Sequence, residues 1–107
     1  MLVVTTENIP GHTVREMLGQ CFGLVVRSRG IGGNIAAGLR SVFGGEIHEY
    51  TQMLEESRKQ ALDRLVENAR LMGANAIVMM RFDSSEIAEY MTEIVAYGTA
   101  VYVDPPV

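Results

Sequence analysis

Apolar residues recur at three- and four-residue steps from Leu54 through Ala61, Leu65 and Ala69 to Met72, which is the spacing of one helical stripe. Thr51 is a good N-cap type and Gly73 supplies the left-handed residue that stops a helix, so a helix is predicted over 51–72. Glu55, Lys59, Asp63 and Glu67 follow one another at four-residue spacing on a different, solvated side. Beyond Gly73 the period changes. Ala76 to Phe82 is an apolar run closed by Asp83-Ser84-Ser85, and Thr92 to Val103 is rich in β-branched and aromatic residues before Pro105 and Pro106 end it. Two strands near 76–83 and 92–103 are therefore expected, joined as an antiparallel hairpin by a polar loop from Asp83 to Met91. Gly98 inside the second strand marks a bulge or a close backbone contact.

The N-terminal third is less regular. Leu2 to Thr6 reads as a strand and Pro10-Gly11 as a turn. The stretch from His12 to Arg29 admits two readings of equal weight. One is a helix over Thr13–Gln20 followed by a strand at Leu24–Arg27; the other is a single long bent strand with Gly19 and Gly23 at the kinks. Asn34 is placed to cap a short helix near 34–43, closed by Gly44-Gly45.

Strand alternation exposes a surplus of apolar surface. Thr92, Ile94, Ala96, Gly98, Ala100 and Tyr102 lie on one side of the last strand, and Glu93, Val95, Tyr97, Thr99, Val101 and Val103 on the other. Both sides are largely apolar, as is the run Ile77-Val78-Met79-Met80. An antiparallel sheet in a monomer normally keeps one face wet. One long helix covers one face and the short segment 34–43 adds little, so another copy of the chain is the expected cover for the second face.

Composition narrows the class. With 107 residues the chain is one domain, 1–107, and 48% apolar against 21% charged residues is globular rather than disordered composition. Cys21 is the only cysteine and has no internal disulfide partner, no run is long enough for a membrane helix, and no signal peptide opens the chain. A cytoplasmic location is expected. The formal net charge is −4, and the acidic excess falls after Arg15, Arg27, Arg29 and Arg40 have passed. Without a basic stripe, nucleic acid and anionic membranes are poor partners.

Gly30-Ile31-Gly32-Gly33-Asn34 invites a phosphate-loop reading, since glycine amides that lead into a helix bind anions. Ile35 stands where a dinucleotide fingerprint requires glycine, and Leu39 where a Walker-type loop requires lysine. What remains is a weak anion site built from Arg27, Arg29, Gly32, Gly33 and Asn34. The metal-ligating types are His12, Cys21 and His48, with no CxxC and no HExxH, so a metal ion is the one cofactor kept open, at a site completed between copies. Cys21 between Gln20 and Phe22 reads more simply as a small buried hydrophobe than as a nucleophile, and Asp83 to Glu86 as a strand-ending turn. No catalytic residue is assigned.

Several stretches together resemble the YbjQ-like family: TTENIPG (5–11), GLRSVFGGEIHEYT (38–51), the AL–R–ENAR–GANAIV pattern (61–78), RFD (81–83) and TEIVAYGTAVYV (92–103). The resemblance covers nearly the whole chain. It implies a small cytoplasmic bacterial or archaeal protein of unknown function, labelled heavy-metal-binding. It also implies an α+β fold, dodecin-subunit-like or YbjQ-like, with one long and one short helix on a curved antiparallel sheet, assembling into a homopentameric ring. In that family the stretch matching His12–Arg29 is one bent strand and 34–43 is a helix. The leading expectation is a homo-oligomeric, pentameric cytoplasmic protein that binds an unidentified ligand or serves as a scaffold. One rival is soft-metal binding at an intersubunit site through His12, Cys21 or His48. The other is an enzyme or binder of a small anion between subunits through Arg27, Arg29 and the 30–34 loop, and an enzyme is the less favoured class.

Overall fold

A computed structural model of the chain describes residues 1–28 and 48–107. The elements are β1 (Leu2–Val3), β2 (Thr13–Ser28), α1 (His48–Leu71), β3 (Ala76–Ala88) and β4 (Met91–Asp104). They form one four-stranded sheet in the order β1-β3-β4-β2. The helix expected near 34–43 lies outside the described residues.

The balance between helix and strand at His12–Arg29 is resolved as strand. β2 pairs antiparallel with β4 along its whole length, from Thr13↔Asp104 to Ser28↔Met91, with register shifts at Val14/Glu16 and Met17/Gly19. Gly19 sits at the second shift with φ 119°, a conformation that suits glycine and bends the strand.

Two expectations need correction. The sheet is mixed, because β1 runs parallel to β3 (Leu2↔Ala76, Val3↔Ile77) while the other pairs are antiparallel. The segment after Phe82 is not a loop. β3 continues to Ala88 opposite β4, Asp83↔Val95 and Ser85↔Glu93 among the pairs, and only Glu89 and Tyr90 turn the chain, Tyr90 with φ 65°. Polar residues there lie in a strand that is exposed along both sides, so they carry no alternation to read.

α1 is about 36 Å long. Its buried positions, Ser57, Ala61, Leu65 and Ala69, fall every fourth residue and hold the middle of the predicted stripe, whose ends Leu54 and Met72 are exposed, as are Glu55, Lys59, Asp63 and Glu67. The helix already includes His48, so Thr51 lies within it rather than at its cap. It ends in a Schellman motif: Gly73 (φ 90°) donates its N–H to the Arg70 carbonyl at 2.9 Å, and Ala74 donates to Ala69 at 3.1 Å.

The core has two parts. Ala61, Leu65 and Ala69 pack on Cys21, Val25, Ile77, Ile94, Ala96 and Ala100. A smaller cluster of Ile9, Ala76, Val78, Val101 and Val103 lies on the opposite face of the sheet, where Ile9 and Val4 from the segment after β1 cover it. Asn75 links helix end to sheet. Its Nδ2 donates to the Val103 carbonyl at 2.9 Å, and its Oδ1 accepts from the Val103 N–H at 2.8 Å. Val103 is fully buried, so Asn75→Ala strands two backbone groups without water. The expected loss is about 3 kcal/mol of unfolding free energy in urea, with an unchanged m-value.

Candidate functional site

The face of the sheet turned away from α1 carries a row of apolar side chains on β2. Cys21, Gly23 and Val25 are buried beneath the helix, and the alternate residues Phe22, Leu24 and Val26 are exposed at 51%, 46% and 45%. Phe22 stands opposite Tyr97 on β4, Leu24 opposite Val95, and Gln20 opposite Thr99. On a protein surface facing water, apolar rows of this kind mark an interaction surface.

At one end of the row the surface sinks into a hollow of about 270 Å³ lined by Gln20, Phe22, Met79, Tyr97, Gly98 and Thr99. Its shape comes from the bulge expected at Gly98. The β3–β4 register shifts between Val78 and Arg81, opposite Gly98, and Met79 takes a left-handed φ of 56°. A methyl group added to Gly98 would stand 2.8 Å from Ile77 Cγ2 and 3.0 Å from the Val78 carbonyl oxygen, so the bulge and the glycine require each other. Arg81 is the charged residue nearest the bulge in sequence, and its guanidinium is turned onto the Thr5 and Met80 carbonyls at 2.8 Å. Among the described residues no charged side chain lines the hollow.

The free edge of β2 is partly closed. Asn68 Nδ2 donates to the Phe22 carbonyl at 2.7 Å, and Arg64 Nη1 donates to the Leu24 carbonyl. These two α1 side chains occupy acceptors that an added strand would need, which leaves the sheet face rather than this stretch of edge for contact.

The residues expected to bind a metal or an anion are dispersed. His12 precedes β2, and its Nδ1 lies 2.6 Å from the Pro105 carbonyl oxygen, to which it donates; the Arg15–Asp104 ion pair at 3.2 Å ties the same two strand ends. Cys21 is roughly 25–30 Å further along the strand. It is 2% exposed, faces α1, and burial raises its thiol pKa, which disfavours the thiolate that binds metal or attacks carbon. His48 opens α1. Among the described residues no three His, Cys, Asp or Glu side chains are grouped to hold a metal ion. Arg27 Nε donates to Ser57 Oγ at 3.1 Å, and Ser57 is fully buried, so Arg27 fastens β2 to α1. Arg29, Gly32, Gly33 and Asn34 lie outside the described residues. The hollow itself was not anticipated, although the alternation of Phe22, Leu24 and Val26 with Cys21, Gly23 and Val25 carried the signal for the row beside it.

Among the described residues, one long helix on one face of a mixed four-stranded sheet, with an apolar row on the other, defines an α+β fold. A solved protein of unknown function from Pediococcus pentosaceus, assigned to the DUF74 family, has this fold: the TM-score is 0.69 at 14% identity, over 97% of this chain and 98% of that one. The chain belongs to the YbjQ-like family, whose model, described as "Putative heavy-metal-binding", matches residues 1–104. It is 72% identical to a UPF0145 protein of Bradyrhizobium sp. (strain ORS 278) over 98% of this chain and 95% of the relative. It is also 60% identical to one of Methanoregula boonei, over 98% and 88%, and 57% identical to one of Streptomyces coelicolor, over 96% and 97%. Among the described residues no helix is long and apolar enough to cross a membrane.

Proposed function

We infer that the chain works as a homo-oligomeric binding or scaffold protein of the cytoplasm, a ring of five subunits, in which copies cover one another's outer sheet face. The observation that carries this reading is the exposed Phe22–Leu24–Val26 row. The subunit number rests on the family resemblance alone. Light scattering on the eluting protein at micromolar concentration should give a multiple of 11.8 kDa, five subunits on this reading. A mass of one chain overturns it.

His12 favours a second reading, a metal ion shared between copies. The Pro105 carbonyl fixes Nδ1 as the protonated nitrogen and leaves Nε2 as the acceptor, the arrangement that second-shell partners impose on metal-binding imidazoles. Because one described chain supplies no complete ligand set, several subunits would have to contribute. Zinc or copper(I) added to the assembled protein should then raise its melting temperature, a response lost in His12→Ala and kept in Cys21→Ser. Unchanged melting and mass across the titration removes this reading.

A further inference from the structure

We propose that the hollow beside Gly98 is a binding site for a small, neutral, flat heteroaromatic ring, one per subunit. The floor is the backbone at Gly98, where β3 bulges away opposite it and Met79 is held in left-handed backbone; a side chain at 98 would meet Ile77 on the α1 side. Strained backbone at a strand bulge is a recurrent mark of functional sites, where it re-aims a side chain. Here the side chain concerned is Met79, a polarisable thioether that forms one wall and packs well on ring edges. Phe22 and Tyr97, directly opposite each other across β2 and β4, supply the aromatic surface. One step along the same pair of strands, Gln20 and Thr99 stand opposite each other at the rim. Between them they offer an amide donor, an amide acceptor and a hydroxyl, which match the edge of a ring carrying both donors and acceptors.

The lining selects the ligand class. With no charged group among the described lining residues, these walls offer nothing to a phosphate or carboxylate, and desolvating such an anion against them is unfavourable. The volume of about 270 Å³ lies just below the usual range for drug-sized ligands and suits one or two fused rings. Mostly apolar walls with two polar groups at one side are the composition of sites that orient a flat ligand. This inference deepens the binding role proposed above by naming a ligand class for the outer face, and it has a readout independent of assembly.

The test uses the full chain labelled with ¹³C at the methionine methyls, titrated with indole, adenine and nicotinamide, and with benzoate as the charged control. Native mass spectrometry on the same samples reports subunit number. The Met79 methyl is expected to shift with ring current in a saturable way for at least one neutral probe, at one site per chain, and to stay still with benzoate. Tyr97→Leu and Phe22→Leu keep the surface apolar and remove a ring, and each should weaken binding about 5- to 150-fold, the effect of losing one aromatic stacking partner. A saturable shift on a protein of single-chain mass supports the site and overturns only the assembly. An unshifted Met79 in the assembled protein, a shift that does not saturate, or equal binding by both leucine variants overturns the site.

Discussion

Gly23→Ala should be the most damaging single methyl in the molecule, costing about 3 kcal/mol or more of stability. A β-carbon built at Gly23 overlaps the Ala61 carbonyl oxygen and the Leu65 amide nitrogen, both of them helix backbone. Backbone has no rotamer by which to step aside, so α1 must lift off β2. That movement loosens the contacts of Ala61 and Leu65, both fully buried, and strains the Arg27–Ser57, Arg64–Leu24 and Asn68–Phe22 hydrogen bonds that fasten the same two elements. Small residues at 57, 61 and 69 are what let the helix lie so close in the first place. For a domain with about one-tenth of a kcal/mol of stability per residue, such a loss is a large part of the total. Gly73→Ala provides the calibration. Nothing lies within 4 Å of its added methyl, so it should lose only the penalty of left-handed backbone, about 1 kcal/mol. Urea titrations followed by helical circular dichroism would rank the two, and equal midpoints would refute the close α1–β2 packing.

The sequence announces some of this architecture and hides the rest for identifiable reasons. The α1 stripe at Ala61, Leu65 and Ala69 was legible because a helix buried on one side writes its period into the chain, and Gly73 wrote its end. Gly98 was legible as an anomaly in a strand, and the bulge opposite it is the cause. β2 was not legible from its residues: its first half is exposed on both sides, so Thr13 to Met17 show no alternation, and Thr-Val-Arg-Glu-Met-Leu scores as well for helix. Long-range pairing with β4 decides it, and only the family resemblance supplied that. The end of β3 failed for the same reason, since Asp83 to Ala88 are held by a ladder to β4 and bury almost nothing. The outer face shows the opposite limit. A residue's apolar character was readable, but whether its own chain covers it was not: Val101 and Val103 sit under Ile9, whereas Val95 and Tyr97, on the same side of β4, remain half-exposed.

That unequal cover leads to the second large effect. On the proposed assembly, Leu24→Asp should separate the copies while leaving each chain folded. The Leu24 side chain points away from α1, and only its backbone carbonyl is engaged there, by Arg64, so the mutation touches neither core cluster. In a covered outer face, however, the new carboxylate is buried with apolar neighbours at Phe22, Val26 and Val95. An uncompensated charge in such a place costs about 3–5 kcal/mol for each interface, equivalent to binding weakened by a factor of about a hundred to several thousand. At micromolar concentration the mass should fall to one chain of 11.8 kDa with the helical signal retained. Leu71→Asp separates this from a general intolerance of added charge. Leu71 is the most exposed large apolar residue among those described, at 78%, and lies at the end of α1 rather than on the outer face. The same charge there should leave the mass unaltered. Should Leu71→Asp dissociate the protein and Leu24→Asp leave it whole, copies meet through the helix side, and the Phe22 row needs a different occupant.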